Sequence, residues 1–143
     1  KFGYKTVKPE EIYEVDCDIF SPSAIGGILN DRTIPKLKCK IVAGCANNQL
    51  EDEERHGRML HERGILYAPD YIINAGGVIQ AIDEEQGFNP ERVKMKTERI
   101  YVRLLHIFEM AQKEGIFPVE AANRYAEIRI REIHKMRRLY VPK

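Results

Sequence analysis

Three short polar stretches hold the residues best suited to chemistry. Ser21-Pro22-Ser23-Ala24-Ile25-Gly26-Gly27 follows the apolar run Asp18-Ile19-Phe20. Gly44-Cys45-Ala46-Asn47-Asn48-Gln49 follows Lys40-Ile41-Val42-Ala43, and Pro69-Asp70, then Asn74-Ala75-Gly76-Gly77, follows Ile65-Leu66-Tyr67-Ala68. Asparagine offers two donors and an acceptor without adding a charge. Glycine lets a backbone come close to a ligand or take a positive φ. Together they suit a carboxamide, ribose hydroxyls or a carboxylate. The same residue types dominate ordinary turns, so composition alone names no ligand. Neither G-x-G-x-x-G nor G-x-x-x-x-G-K-[ST] occurs in the chain, so a dinucleotide site here would lack its phosphate-binding turn.

The elements that position these stretches are legible from spacing. The apolar runs begin at residues 18, 40 and 65, so they stand 22 and 25 residues apart. That interval suits a strand, a helix and two loops, and the pattern reads as consecutive βαβ units in a parallel sheet. Carboxyl ends of parallel strands share one edge, where ligands bind. The stretch Asn30–Thr33 with Pro35 reads as a short helix or turn. Residues 53 to 63 read as a helix with Met59 and Leu60 on one side, stopped by Gly64 and started among Glu51, Asp52, Glu53 and Glu54, whose charges complement the helix dipole.

Asn89-Pro90-Glu91 is a helix start, an N-cap side chain followed by proline at the first helical position. Val93, Thr97, Ile100, Leu104, Ile107 and Ala111 then recur at three- and four-residue steps up to Gly115, which predicts a long amphipathic helix. Pro118 opens another, with Val119, Ala122, Ala126, Ile130 and Ile133 on one face. The expected fold is α/β: a partial, Rossmann-like doubly wound parallel sheet of about three strands, followed by two long C-terminal helices. The division is expected after residue 88, with 1–88 carrying the sheet and 89–143 the helices.

Composition bounds the function. The chain has 143 residues, 43% hydrophobic and 31% charged, with net charge +1. It can bury a core, and the balance of charge argues against a general nucleic-acid binder. No apolar run approaches the roughly 18 residues of a membrane span, and Lys1 to Lys5 carry no apolar signal core. Cys17, Cys39 and Cys45 match no zinc spacing and cannot all pair, so a reducing, cytoplasmic setting is expected. The last twenty residues, from Arg124, hold seven Lys or Arg against two Glu, which reads as a solvated face.

Other candidates are weaker. His61-Glu62 opens like a zincin motif, but Ile65 stands where the second histidine would be, so no metal is expected. His56, His106 and His134 are expected on surfaces, and Asp83-Glu84-Glu85 as a solvated helix end. Cys45 lacks an evident activating cation.

Several long motifs, in order, carry a family resemblance. Asp16-Cys17-Asp18-Ile19-Phe20-Ser21-Pro22-Ser23-Ala24-Ile25-Gly26-Gly27-Ile28-Leu29-Asn30-Asp31, then Ile41-Val42-Ala43-Gly44-Cys45-Ala46-Asn47-Asn48-Gln49-Leu50, then Ile65-Leu66-Tyr67-Ala68-Pro69-Asp70-Tyr71-Ile72-Ile73-Asn74-Ala75-Gly76-Gly77-Val78-Ile79 resemble the amino-acid dehydrogenases acting on glutamate, leucine, phenylalanine and valine. The likeness covers nearly the whole chain and is strongest to the leucine and branched-chain members.

The resemblance implies an NAD-dependent oxidoreductase that oxidatively deaminates a branched-chain L-amino acid. The chain is expected to begin partway through that architecture, in the second half of the NAD-binding domain, with helices that return towards the substrate cleft. The family's catalytic lysines and aspartate would then lie upstream, so no catalytic residue is assigned here and the chain alone is expected to be inactive. Pro22, Ser23 and Ala24 match the loop packed along the cofactor, although relatives more often carry Cys at position 23. Cys45, Ala46 and Asn47 match the segment beside the nicotinamide ribose and carboxamide. Asn74 matches the residue whose amide reaches the substrate carboxylate. Leu104 and Ile107 fall where branched-chain members line the side-chain pocket, although helix core explains an apolar stripe nearly as well. The implied partners are NAD and a small amino acid, with a homo-oligomer, no nucleic acid and no membrane. The alternatives are a non-catalytic α/β module that associates with itself, supported by the missing phosphate turn, and part of a valine, phenylalanine or glutamate dehydrogenase.

Overall fold

Three β-rich dipeptides pair side by side. β1 (Ile19–Phe20), β2 (Ile41–Val42) and β3 (Leu66–Tyr67) form a parallel sheet in the order β1-β2-β3. The register sets Ile19 beside Ile41 and Ile41 beside Leu66. The pleat sends alternate residues to opposite faces, so Phe20, Val42 and Tyr67 are buried while Ile19 and Leu66 are exposed. The computed structural model describes residues 3–139, and only the backbone of 137–139. The side chains of Lys1, Phe2, Arg137, Arg138 and Lys143, counted in the sequence reading, lie outside the described residues.

The chain divides into two compact units, Lys1–Asn74 and Ala75–Lys143. The short helix Asp70–Ile73 that follows β3 thus falls in the first unit, and the helix Gly76–Glu85 groups with the long C-terminal helices. In the first unit the β1–β2 crossover is a single 3-10 turn, Ile34–Lys36, and the β2–β3 crossover is α1 (Glu53–Glu62). The Asp52 carboxylate accepts the Arg55 N–H at 2.9 Å and caps α1. Its last turn closes through Gly64 in the left-handed region (φ 70°), with Ile65 N–H donating to the Leu60 carbonyl at 3.0 Å. The Arg63 guanidinium then donates to the Pro35 and Leu37 carbonyls at 3.0 and 2.8 Å, which ties α1 to the 3-10 turn. Leu29, Ile34, Val42 and Leu60 are fully buried; each such aliphatic side chain contributes about 1.5–3 kcal/mol over its exposed state.

His56 departs from its expected surface position. It is buried, and its Nδ1 accepts the Asp52 N–H at 2.9 Å, so the proton of the neutral ring sits on Nε2, 3.5 Å from Asp31 Oδ1. One turn into the helix, this ring satisfies a backbone donor that a helix start would otherwise leave orphaned.

The first unit ends with the short α2 (Asp70–Ile73), and the second begins with α3 (Gly76–Glu85), α4 (Pro90–Glu114) and α5 (Pro118–Leu139). Gly76-Gly77, expected as a loop, opens a helix. Asn89 caps α4 by accepting the Arg92 N–H at 2.9 Å, and Gly115 (φ 66°) ends it. α4 packs against both α3 and α5. Ile100, Ile107 and Ala111 of its expected face are buried and Leu104 is half-buried, whereas Thr97 is exposed. On α5 the apolar face is covered only at its start: Val119 and Ala122 are buried, but Ile130 is 68% exposed. Among the described basic residues of α5, Arg124 pairs with Glu114 and Glu120, Arg129 with Glu132 and Arg131 with Glu127, all as exposed ion pairs.

Of the acidic run expected as a solvated helix end, Glu84 and Glu85 are exposed at the end of α3, but Asp83 departs from that reading. It is fully buried at the α3–α4 junction, where it accepts from the Arg92 guanidinium, from the Asn89 N–H at 2.8 Å and from Lys96 Nζ at 3.4 Å. The Arg92 hydrogen bonds, more than the other donors, hold its carboxyl well below the usual carboxylate range against the opposing effect of burial. A native pKa below the unfolded value makes the contribution complete above the unfolded value, about 3.9. It is lost as pH falls from there towards the native value. Asp83→Asn is therefore expected to lower the melting temperature at pH 7 and to flatten its fall below about pH 4, the unfolded carboxyl value. Thermal unfolding followed by circular dichroism from pH 7 to pH 2 checks this; an unaltered acid limb would contradict it.

Candidate functional site

The segments after β1, β2 and β3 meet at the carboxyl edge of the sheet, and the first two touch backbone to backbone without side chains between them. A Cβ on Gly44 would overlap the Pro22 carbonyl and lie 2.7 Å from the Pro22 carbonyl carbon. Beside it, the Ala46 N–H donates to the Pro22 carbonyl at 2.9 Å. A Cβ on Gly26 would meet the Asn47 and Asn48 carbonyl oxygens at 2.7 and 2.8 Å. Gly27 donates its N–H to the Asn48 carbonyl at 2.7 Å, and Asn48 itself takes a left-handed φ of 51°. Leu29 N–H to the Gln49 carbonyl (3.0 Å) and Glu51 N–H to the Leu29 carbonyl (3.1 Å) continue the seam.

The third segment joins through side chains. Asn74 Nδ2 donates to Asn47 Oδ1 at 2.5 Å and lies 3.5 Å from the Cys45 carbonyl. Behind this amide pair, Gln49 is fully buried and its Nε2 donates to the Gly44 and Ala46 carbonyls at 2.8 and 2.9 Å. The buried Asp70 carboxylate accepts the Gln49 N–H at 3.1 Å and the Tyr71 N–H at 2.7 Å. Burial, with the charges of Glu53 and Asp70, pushes the Tyr71 phenol up to about 12, so it stays a neutral hydroxyl at physiological pH.

The expected residues of the first unit are thus brought together in one place. Pro22 and Ala46 are buried and present backbone, while Ser23, Ala24, Cys45 and Asn47 are exposed and Asn74 is half-exposed. The Ser21 and Ser23 hydroxyls stand 3.4 Å apart. Leu104 and Ile107 belong to the second unit, where Ile107 is fully buried and Leu104 half-buried. None of the three segments carries Lys, Arg or His. Their exposed polar groups are neutral amides, hydroxyls and backbone, which can orient a ligand by hydrogen bonds but offer no evident proton-transfer group. The sequence pattern alone assigns no role to Gln49 or Asp70. A polar residue inside a strand-end motif, and an acid directly after Pro69, are the signals that point to them.

The chain is similar to known proteins. The family model for glutamate/leucine/phenylalanine/valine dehydrogenase matches residues 1–138. A leucine dehydrogenase of Thermoactinomyces intermedius is 55% identical over 141 residues, 99% of this chain and 38% of that protein. A phenylalanine dehydrogenase of Lysinibacillus sphaericus is 61% identical over 118 residues, 82% of this chain and 31% of that protein. Among solved structures, the L-tryptophan dehydrogenase of Nostoc punctiforme superposes with a TM-score of 0.88 at 51% identity, covering 92% of this chain and 40% of that one. The chain therefore spans little more than a third of the length of the relatives it matches.

The glycine contacts give a direct test of the seam. Gly44→Ala must separate the second segment from Pro22, and overpacking of this kind costs about 1–3 kcal/mol. A fall in melting temperature of the 143-residue chain is expected. An unchanged transition would show that the two backbones part freely.

Proposed function

Because the chain belongs to the glutamate/leucine/phenylalanine/valine dehydrogenase family, we propose that it is the C-terminal part of an NAD-dependent enzyme that oxidatively deaminates a branched-chain L-amino acid. Residues 1–88 are read as the second half of the NAD-binding domain and 89–143 as its C-terminal helices. The observation that carries this reading is the Asn47–Asn74 amide pair at the carboxyl edge of a parallel sheet. Each amide sits in a motif of the resembled family, one for the nicotinamide and one for the substrate carboxylate.

The residues fit the nicotinamide end of the cofactor. Asn47 offers a carboxamide and Ser23 a hydroxyl, and Pro22, Ala24, Cys45 and Ala46 offer backbone and small side chains, a set matched to a carboxamide and ribose hydroxyls. When bound, NAD supplies the hydride acceptor for oxidation at the substrate Cα. On this reading Asn47 fixes the plane and distance of the nicotinamide ring, and Asn74 holds the substrate carboxylate so that its Cα faces that ring. Positioning of this kind is a large share of catalysis, since a misplacement of about an ångström can cost on the order of 100-fold. Leu104 and Ile107 are proposed to shape the pocket for the substrate side chain, Leu104 from its half-buried position and Ile107 by packing beneath the same helical face. Branched-chain preference is proposed on the likeness to the leucine dehydrogenase of Thermoactinomyces intermedius, which extends over 99% of this chain. A cytoplasmic homo-oligomer completes it.

Two measurements test the reading. The 143-residue chain alone is expected to form no NADH from leucine, because the family's lysines would lie outside it; activity above a mock preparation would overturn that. In the full-length enzyme, Asn47→Ala is expected to weaken NAD binding or nicotinamide orientation by about 1–3 kcal/mol, the cost of leaving a buried polar partner unpaired. Unchanged kinetics for both NAD and leucine would remove Asn47 from the cofactor site.

A further inference from the structure

We infer that Asp70 and Gln49 are positioning residues that set the relative placement of Asn47 and Asn74, an inference that rests on the proposed role of that amide pair. Asp70 is 8% exposed and lies at the first position of α2, four residues before Asn74. Its two oxygens are divided between two segments. Oδ2 takes the N–H of Gln49, at the end of the second segment, and Oδ1 takes the N–H of Tyr71 in the third. One carboxylate thus fixes the distance between the backbones that carry the two asparagines.

Gln49 extends this link towards Asn47. Its Nε2 donates to the Gly44 and Ala46 carbonyls, which flank Cys45 and lie just before Asn47. Two carbonyl acceptors also fix which way the amide faces, since Oε1 could not accept from either. Oε1 is then buried without a hydrogen-bond partner among the described residues, an arrangement that costs stability. A side chain retained for packing alone would gain from losing that atom, whereas one retained to hold two carbonyls would not. The path from Asp70 through Gln49 to the Gly44–Ala46 backbone, together with the path from Asp70 along α2 to Asn74, joins both amides to one buried acid.

The test uses the full-length enzyme with Asp70→Asn, Gln49→Met, Asn47→Ala, and the double variant of Asp70→Asn with Asn47→Ala. Asparagine keeps the shape of Asp70 but leaves one acceptor oxygen for two N–H donors. Methionine keeps the length of Gln49 and removes both Nε2 bonds and the unpartnered Oε1. Values of kcat and KM for leucine and for NAD are measured well below each variant's melting temperature. A fall in kcat of about 10- to 100-fold is expected for Asp70→Asn and for Gln49→Met, the range for misplacement by about an ångström, with smaller changes in KM for NAD. In the Asn47→Ala background the further loss from Asp70→Asn should be smaller than in the parent, because only the part acting through Asn74 is left and residues of one network are not additive. An equal loss in both backgrounds, or a lowered melting temperature with kcat of the folded enzyme unchanged, overturns the inference. Should Asp70→Asn fail to fold, Gln49→Met decides by the same kcat criterion. If Asn47→Ala itself leaves every constant at the parent value, the proposed function of the pair falls and takes this inference with it. An effect of Asn47→Ala with none from Asp70→Asn and Gln49→Met overturns this inference alone.

Discussion

Direct backbone-on-backbone contact at Gly44 and Gly26 is the constraint on which the polar edge depends. With no Cβ in the way, the second segment lies against Pro22, and Gly26 lies against the Asn47 and Asn48 carbonyls. The backbone donors of Gly27, Leu29 and Ala46 then find acceptors in the neighbouring segment, as buried peptide groups must. Because backbone satisfies backbone along this seam, the side chains of Ser23, Cys45 and Asn47 are left facing outward. A larger residue at either glycine would separate the segments and leave those peptide groups unpaired.

Two buried carboxylates illustrate different solutions to one problem. Asp83 meets a guanidinium, an ammonium and a backbone N–H, the pairing that lets a buried charge persist. Asp70 meets the backbone N–H groups of Gln49 and Tyr71. The first joins two helices of one unit through charge. The second joins two strand-end segments by geometry and adds no cation to an edge whose exposed groups are neutral.

Much of this arrangement is legible in the sequence, for identifiable reasons. The strands announce themselves because short apolar runs at intervals of 22 and 25 residues match the length of a strand plus its crossover. α4 announces itself through Asn89-Pro90 at one end and Gly115 at the other, since both ends are set by local backbone chemistry. What escapes is decided by distant partners. Asp83 looks like any acid in an acidic run until Arg92, nine residues on, is seen to wrap it. His56 reads as a surface residue until its ring nitrogen is placed on the Asp52 N–H. Periodicity on α5 names an apolar face but not how much of it is covered, because coverage is a property of the neighbour. The juxtaposition of Asn47 and Asn74 is legible only through the shared strand edge; their direct hydrogen bond is not.

That hydrogen bond changes what recognition at this edge involves. The Asn74 Nδ2 to Asn47 Oδ1 bond at 2.5 Å occupies one donor and one acceptor of the pair, so a ligand that engages that N–H or that lone pair would exchange one hydrogen bond for another, while the remaining amide groups stay open to it. The net gain in affinity from such an exchange is small, because the bond broken and the bond made are of like strength. The gain in selectivity is larger. A molecule that parts the two amides would have to replace that bond with an acceptor for the Asn74 N–H and a donor for the Asn47 oxygen. On the proposed reading of this site, such a pre-formed pair would favour a molecule of complementary hydrogen-bonding pattern by penalising others, and so select on pattern as well as on shape.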